Sequence, residues 1–254
     1  MNFEVKYFSK PELKNPILIE GLPGIGNVGK IAADFMVDSL KAKKFIEITS
    51  TSFPNSVFVN EKNLIDLPKI EFFYVKGKQD LIFLSGDVQP LNEEACYDFC
   101  NLILDTLVKY KGKEIITLGG IGMPKIPKNP IVYCTANDIK ITKKYKTPNL
   151  NSEIFGVVGP IIGVTGLLVG LAGKKKIPAI ALLAQTLGHP SYLGIKGARE
   201  ILKILNSKLN LKLNINRLDK EIINLEKEVK EIQPKFIKPG IPQKTVEEET
   251  TYIG

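Results

Sequence analysis

The first stretch whose residue types could do chemistry is a glycine-rich turn near the start of the chain. Residues 17–19 form a short apolar run, and Gly24, Gly26 and Gly29 follow it in the spacing G-x-G-x-x-G. A strand, this turn and a helix would present free backbone N–H groups to a dinucleotide phosphate, and Glu47, about 20 residues on, would bind the ribose. However, three extra residues precede the pattern, and Glu47 falls inside a predicted strand. The sequence therefore favours a tight turn that allows close helix packing.

Polar and glycine residues also follow several other apolar strands. Predicted strands end after Glu20, Leu84, Leu118 and Ala184. In open α/β sheets ligands bind at the carboxyl ends of the strands, so these ends predict a shared rim. The candidate binding residues at this rim are Gly24, Gly26, Asn27, Asp87, Gln89, Gly119, Gly120, Gln185 and His189.

The predicted rim lacks a set of residues that would carry out a reaction. His189 is the only histidine, and Pro190 follows it and restricts its backbone. The sequence has no G-x-S-x-G elbow, no complete Walker A motif and no HExxH motif. Cys96, Cys100 and Cys134, with one histidine, give no metal signature, and we expect buried, reduced thiols. We therefore predict neither a metal nor a cofactor.

Composition and charge limit the classes of protein. The 254 residues include 44% hydrophobic residues, which suits one α/β domain with an appendage. The net charge of +8 comes from scattered lysines without interleaved aromatic residues, a pattern that disfavours nucleic-acid binding. The first ten residues have no signal-peptide layout, so we expect a cytoplasmic location.

An uncharged stretch over residues 154–173 is long enough for a membrane span. Its repeated glycines and Pro160 argue against one continuous helix. We predict a buried strand over 154–158 and a short buried helix over 165–171, and no membrane span.

The order of apolar runs predicts an α/β fold with a mixed sheet. The tight turn at 77–80 joins predicted strands 71–76 and 81–84, which must then be antiparallel. Residues 91–110 predict a long amphipathic helix, and residues 139–142 predict another short strand.

Near the C-terminus the composition changes to a heptad pattern. Leu218, Ile222, Leu225 and Val229 recur in steps of four and three, with charged residues between them. The pattern permits two interpretations, a helix that faces its own core and a projecting helix that contacts another subunit or a partner, and we predict the second, with these four residues at the contact. We predict a core domain over 1–209, a heptad helix over 210–233 and a flexible tail over 234–254.

The order of motifs resembles the archaeal branch of the proteasome assembly chaperone two family. The matching pieces are residues 19–29, 86–90, 119–122, 156–170 and 182–186, within 14–205. The resemblance implies a three-layer αβα fold with a mixed, mostly parallel sheet, similar to purine nucleoside phosphorylases, plus a C-terminal helical extension. It implies a non-enzymatic, homo-oligomeric chaperone or adaptor whose partners are proteasome subunits or related chaperone subunits. The alternative is a nucleoside- or nucleotide-binding enzyme of phosphorylase-like fold that uses the rim.

The resemblance also implies a use for the tail. Similar chaperones and activators often dock into proteasome α-ring pockets through a final hydrophobic residue, tyrosine and any residue. Here the ending is Tyr252, Ile253 and Gly254, so the tyrosine is third from the end instead of second. An extended chain advances roughly 3.5 Å per residue, so the terminal carboxylate would lie that far out of place. The alternatives are a tail without a docking role, insertion of the displaced motif into the pocket, and docking onto a related chaperone subunit.

We expect a peptide with the natural ending to bind purified α-subunits weakly. A peptide that lacks Gly254 restores the register, and it should bind more tightly. Surface binding of the two peptides measures the difference. Tight binding of the natural peptide would refute the register argument, and equal weak binding would remove a proteasome role from the tail.

Overall fold

The computed structural model describes residues 3–220 and Ile222. The strands in this part are β1 (Phe3–Tyr7), β2 (Ile17–Gly21), β3 (Lys43–Ser50), β4 (Phe58–Val59), β5 (Ile65–Asp66), β6 (Ile70–Val75), β7 (Leu81–Gly86), β8 (Glu114–Met123), β9 (Val132–Ala136), β10 (Leu150–Asn151) and β11 (Ala179–Leu187). The helices are α1 (Val28–Ser39), α2 (Glu93–Lys109), α3 (Ile139–Tyr145), α4 (Val164–Lys174) and α5 (Ile195–Leu209), and a 3-10 turn (Ile25–Asn27) precedes α1.

Four parallel strands form the centre of a nine-stranded sheet, in the order β7, β2, β8 and β11. Every residue of β2 and of β7 is buried. Helices cover both faces of a parallel sheet, which explains why these strands read as nearly continuous apolar runs. The carboxyl ends of all four strands meet at one edge, which we call the rim.

The outer strands pair mainly in the antiparallel sense. β6 pairs with β7 across the predicted tight turn, so the predicted antiparallel pair is confirmed. β1, β3 and β6 continue the antiparallel pattern on one side, and β9 is antiparallel to β11 on the other. The sheet is mixed, as predicted. Among the described strands of this sheet, four pairings are parallel and four are antiparallel, so parallel pairing dominates only at the centre.

Alternate residues of each central strand face two separate cores. Leu18 of β2 packs in the core with Phe99 of α2 and with α4, whereas Ile19 packs in the core with Ala32 of α1 and with α5. Successive strand residues point to opposite faces, so one strand serves both cores. The predicted three-layer αβα architecture is confirmed. The likeness to purine nucleoside phosphorylases stays a prediction.

The predicted strand over residues 139–142 is wrong, since this stretch begins helix α3. Asp138 caps the helix by accepting a hydrogen bond from the Lys140 N–H at 2.8 Å. Ile141 and Tyr145 lie four residues apart and are both buried, as one helix face requires. A short apolar run alone does not distinguish a strand from a buried helical turn.

The predicted strand over residues 154–158 is also wrong. This stretch is an irregular turn in which the Val157 N–H donates to the Ile154 carbonyl at 3.0 Å. Gly156 has a φ of 77°, which breaks an extended run. The predicted helix that follows is confirmed as α4.

The beginning of the heptad segment packs on the chain's own core. Leu213 and Leu218 are buried in the core beneath α5, and Ile215 and Ile222 are partly buried against it. Leu218 therefore follows the first of the two interpretations. Leu225, Val229 and the predicted tail lie outside the described residues, so the division at 209 and 233 stays a prediction.

The uncharged stretch over residues 154–173 is irregular up to residue 163 and then helical in α4. Among the described residues, none of the helices combines the length and the apolar content needed to cross a membrane.

Helix α1 approaches the sheet so closely that its first turn touches backbone. A Cβ atom on Gly29 would lie 2.2 Å from the Leu118 carbonyl oxygen of β8. A Cβ atom on Gly21 of β2 would lie 2.2 Å from the carbonyl oxygen of Gly29. The prediction that the glycines allow close helix packing is therefore confirmed.

The substitution Gly29→Ala should lower the free energy of unfolding by about 1–3 kcal/mol, because α1 must move away from β8. The gain of about 1 kcal/mol in helix propensity should not offset this strain. Urea unfolding measures the change. Gly24→Ala is the matched control, since its Cβ meets nothing within 4 Å, and it should change stability by less than about 0.5 kcal/mol. Equal unfolding midpoints for the two variants would contradict the packing argument.

Candidate functional site

The rim brings four of the predicted binding residues together around one small cavity. Gly24, Gln89, Gly119 and Gly120 line it, and so do residues that the sequence did not indicate, such as Thr165. The cavity has a volume of about 50 Å³. This space suits one or two waters, whereas drug-sized ligands need roughly 300 Å³ or more.

Gln89 connects two loops that are far apart in the sequence. Its Nε2 donates to the Pro23 carbonyl at 2.5 Å, and its Oε1 accepts from the Val164 N–H at 3.0 Å. Val164 is the first residue of α4, so Gln89 caps one of the free N–H groups at that helix end. Both ends of the amide are thus occupied by the protein itself.

The remaining polar residues of the predicted rim serve local backbone. Asp87 accepts from the Lys69 N–H at 3.2 Å, and Gln185 accepts from the Ile131 N–H at 3.2 Å. His189 is exposed, and its Nδ1 accepts from the Ser191 N–H at 3.2 Å. None of these three residues lines the small cavity. They order the loops at the rim and do not converge on one point.

The N-terminus of α1, where a phosphate would bind, is covered by the chain. Asn27 adopts a left-handed conformation with a φ of 51° before the helix starts. The Gly194 N–H donates to the Gly26 carbonyl at 2.7 Å. A Cβ atom on Gly26 would lie 2.7 Å from the Thr186 hydroxyl oxygen, so β11 also packs directly on the turn.

Glu47 does not stand where a ribose-binding residue would. It lies on β3, and both β6 and β7 separate that strand from β2. Its carboxylate pairs with the Lys44 ammonium at 2.8 Å. The dinucleotide interpretation of the glycine pattern is therefore wrong for this fold.

Apolar side chains stand exposed around the closed rim. Leu91 follows β7, and Phe155, Val157 and Ile162 belong to the loop over residues 152–163, which we call the rim loop. Val158 and Ile161 of the same loop line the small cavity. The rim thus presents an apolar surface outward, while its interior leaves only a small cavity.

The cysteines and carboxylates do not form a metal centre in the described part of the chain. No group of three histidine, cysteine, aspartate or glutamate residues there could hold a metal ion. The cysteines are free thiols, of which Cys100 and Cys134 are buried and Cys96 is partly exposed.

The sequence profile of the PAC2 family matches residues 18–233. The chain belongs to the PAC2 family. An uncharacterized protein of Methanocaldococcus jannaschii is 31% identical over 235 residues, which cover 91% of this chain and 90% of that protein. The resemblance to the proteasome assembly chaperone two family is thereby confirmed.

Two solved structures of Pyrococcus furiosus proteins resemble this PAC2 chain along most of its length. PbaB, described as an archaeal proteasome activator, is 30% identical with a TM-score of 0.84, over 91% of this chain and 99% of that one. PbaA, described as an archaeal homologue of proteasome-assembly chaperone, is 24% identical with a TM-score of 0.74, over 91% and 92% of the two chains. At that lower identity PbaA supports the fold alone.

Glu20 is a buried carboxyl group that the sequence reasoning did not single out. It is 0% exposed at the end of β2, where its Oε1 accepts from the Leu22 N–H at 3.0 Å. The Thr165 hydroxyl donates to its Oε2 at 3.4 Å. Burial raises the pKa of Glu20 to about 8, although these two hydrogen bonds oppose the change. A charged residue type inside the otherwise apolar β2 was the available sequence signal.

The chemical role of Glu20 follows from its surroundings. Thr165 lies between its carboxyl group and the small cavity, and the Thr165 carbonyl accepts from the Thr117 hydroxyl at 2.9 Å. The group is fully buried, and its raised pKa of about 8 keeps it mostly protonated at neutral pH. It connects β2, β8 and α4 beneath the rim of this PAC2 protein.

Because the pKa of Glu20 is higher in the folded than in the unfolded chain, the folded protein retains a proton that the unfolded chain releases. This contribution to stability is complete below about pH 4.5 and is lost as the pH rises to about 8, at roughly 1.4 kcal/mol per pH unit. A glutamine side chain does not ionise, so the free energy of unfolding of Glu20→Gln should fall less between pH 5 and pH 8 than that of the natural chain. Urea unfolding at several pH values measures this difference.

Glu47→Gln is the control for the pH series. Its pairing with Lys44 lowers the pKa of Glu47, so the pair contributes stability above the unfolded pKa and loses it as the pH falls. This variant should therefore lose stability near pH 7 and approach the natural chain in acid. If Glu20→Gln and the natural chain showed the same slope from pH 5 to pH 8, the proposed neutral carboxyl would be wrong.

Proposed function

We propose that this PAC2 chain is a non-enzymatic protein-binding chaperone that acts on proteasome subunits. One observation carries the proposal: the rim, where an α/β enzyme would hold its substrate, leaves a space of only about 50 Å³ and bears exposed apolar side chains outside. Such a surface suits a protein partner, since monomeric proteins rarely expose contiguous apolar patches without an interaction partner.

The rim loop is the proposed contact surface. Phe155 is fully exposed, and Val157 and Ile162 are about half exposed beside it. Aromatic residues at the centre of an interface often contribute most of the binding energy. Leu91 extends the surface across the rim towards β7.

The related structures support the choice of partner. PbaB is described as a proteasome activator and PbaA as a homologue of a proteasome-assembly chaperone, and both share this fold. We infer proteasome-related partners for this chain, a homo-oligomeric state and a cytoplasmic location. We further propose that the predicted rim residues act by shaping this surface.

The enzyme alternative has no support from the site. A phosphorylase-like reaction needs placed acids, bases or phosphate-binding arginines. Arg199 pairs with Asp219 at 2.9 Å, and Arg217 lies 3.4 Å from Asp38, and neither arginine lines the small cavity. The neutral Glu20 is enclosed, and Gln89 is occupied by backbone.

The test is assembly of proteasome core particles from separately purified α- and β-subunits, followed on native gels. The natural chain should bind the α-subunits and speed the formation of the particle. Phe155→Asp should weaken that binding at least about tenfold, because a charge replaces an apolar contact. Calorimetry or surface binding measures the affinity.

Ile139→Asp is the matched control, because Ile139 is an apolar residue, 66% exposed, at the opposite edge of the sheet, after β9. It should bind like the natural chain. Faster peptide hydrolysis by finished particles, without faster assembly, would favour an activator in place of an assembly chaperone. Absence of binding to the α-subunits, the β-subunits and the finished particle would contradict the proposal.

A further inference from the structure

A small two-stranded ribbon stands apart from the main sheet. β4 and β5 pair with each other in an antiparallel register, with Phe58 opposite Asp66 and Val59 opposite Ile65. A two-stranded ribbon is at best marginally stable in water unless another surface packs on it.

One face of this ribbon is entirely aliphatic. Side chains alternate along a strand, so Val57, Val59, Ile65 and Leu67 share one face. Each of the four is between 51% and 70% exposed. The opposite face carries Asp66, which accepts from the side-chain amide of Asn60 at 3.0 Å.

Exposed apolar residues are concentrated here. In the described part of the chain, six of the seventeen exposed large hydrophobic residues fall within the eleven residues 57–67. Single exposed hydrophobic residues are ordinary, whereas a contiguous group marks an interaction surface. We call residues 57–67 the hairpin.

A groove opens at the base of the same apolar face. Val57 and Leu67 line it, with Phe53, Pro54 and Pro68 behind them and Thr51 at its side. Its volume is about 560 Å³, in the range of peptide and ligand pockets. A cavity of roughly 150 Å³ holds a benzene ring, so this groove has room for roughly three or four aliphatic side chains.

The molecule therefore carries a projecting apolar element and, beside it, a groove of matching size. We propose that the hairpin of one copy docks into the groove of a second copy, and that the second copy returns the contact across a two-fold axis. In each copy the hairpin then binds in the groove of the other copy, and the groove binds the other copy's hairpin, as a two-fold interface requires.

The buried area supports a second copy as the occupant. The four aliphatic side chains expose roughly 200–300 Å² in total, from the area that full burial of such side chains removes. One hairpin in one groove would bury about twice that when both surfaces are counted, which is below the roughly 1,000 Å² of a specific interface. Two such contacts related by a two-fold axis reach that threshold, whereas a single partner segment does not.

This inference does not depend on proteasome binding, because the surface involved is the hairpin and its groove and not the rim loop. The oligomeric state is measured on the purified chain alone. The docking model specifies the contact behind the proposed homo-oligomeric state; its failure would leave the proposed proteasome binding intact, and a failure of proteasome binding would leave the docking model intact.

The experiment measures the molar mass of the full chain by sedimentation equilibrium over a range of concentrations. The natural chain should associate as dimers or as assemblies built from them. Val59→Asp places a charge on the apolar face and should raise the dissociation constant at least tenfold. Ile139→Asp, at a residue on helix α3 that is 66% exposed and lies outside both the hairpin and the rim loop, is the matched control and should associate like the natural chain.

A second variant tests the groove separately. Thr51→Trp fills the groove mouth at an exposed position, so it should weaken association by a similar factor. The double variant Thr51→Trp with Val59→Asp should then associate only slightly more weakly than either single variant, since both substitutions disrupt the same contact. Circular dichroism checks folding, and Ile65→Ser replaces Val59→Asp if that variant unfolds.

Three outcomes would overturn the inference. The natural chain could remain a monomer at all concentrations, which would assign the hairpin to a different protein. Association could persist unchanged in Val59→Asp and Ile65→Ser while Ile222→Asp abolishes it, which would place the contact on the heptad segment. Association could be lost in the hairpin variants but kept in Thr51→Trp, which would show hairpins that pack on each other and not in grooves.

Discussion

The close backbone contact of helix α1 with strands β2 and β8 is the constraint on which the rest of the structure depends. The first turn of the helix lies against the Leu118 carbonyl at a distance that leaves no room for a side chain at Gly29. With the helix that close, the glycine turn is pressed against β11, and Gly194 covers the helix N-terminus. The feature that could have bound a phosphate is used to pack the protein.

The polar groups beneath the rim complete this packing. Gln89 holds the glycine turn and the start of α4 together, and Glu20 with Thr165 links the same helix to β2. Buried polar groups are costly unless they find partners, so these hydrogen bonds select one arrangement of loops that are distant in sequence. The loops consequently fill most of the space at the rim, and a partner would contact the outer surface of the rim. An α/β architecture here supports a binding protein, since function follows from the site and not from the fold.

In the described part of the chain, the two largest groups of exposed hydrophobic residues lie on the hairpin and the rim loop, outside the nine-stranded sheet. The central parallel strands are covered on both faces, whereas the hairpin and the rim loop expose their hydrophobic residues. Loops held by a rigid scaffold can present such residues without exposing the core. This arrangement gives a PAC2 protein two distinct apolar surfaces, one around the rim and one beside the edge strand β1.

The sequence by itself determined the strand–turn–helix opening, the antiparallel β6–β7 pair, the helices α2 and α4, and the family, because these depend on local periodicity, turn residues and motif order. It also grouped Gly24, Gln89, Gly119 and Gly120, because carboxyl ends of parallel strands must share an edge. Only the tertiary structure decided the rest. Residues 139–142 became helical through the Asp138 cap and the burial of Ile141 and Tyr145 together. The position of β3 removed Glu47 from the rim, and distant loops closed the cavity, since strand order and long-range packing leave no signal in local sequence.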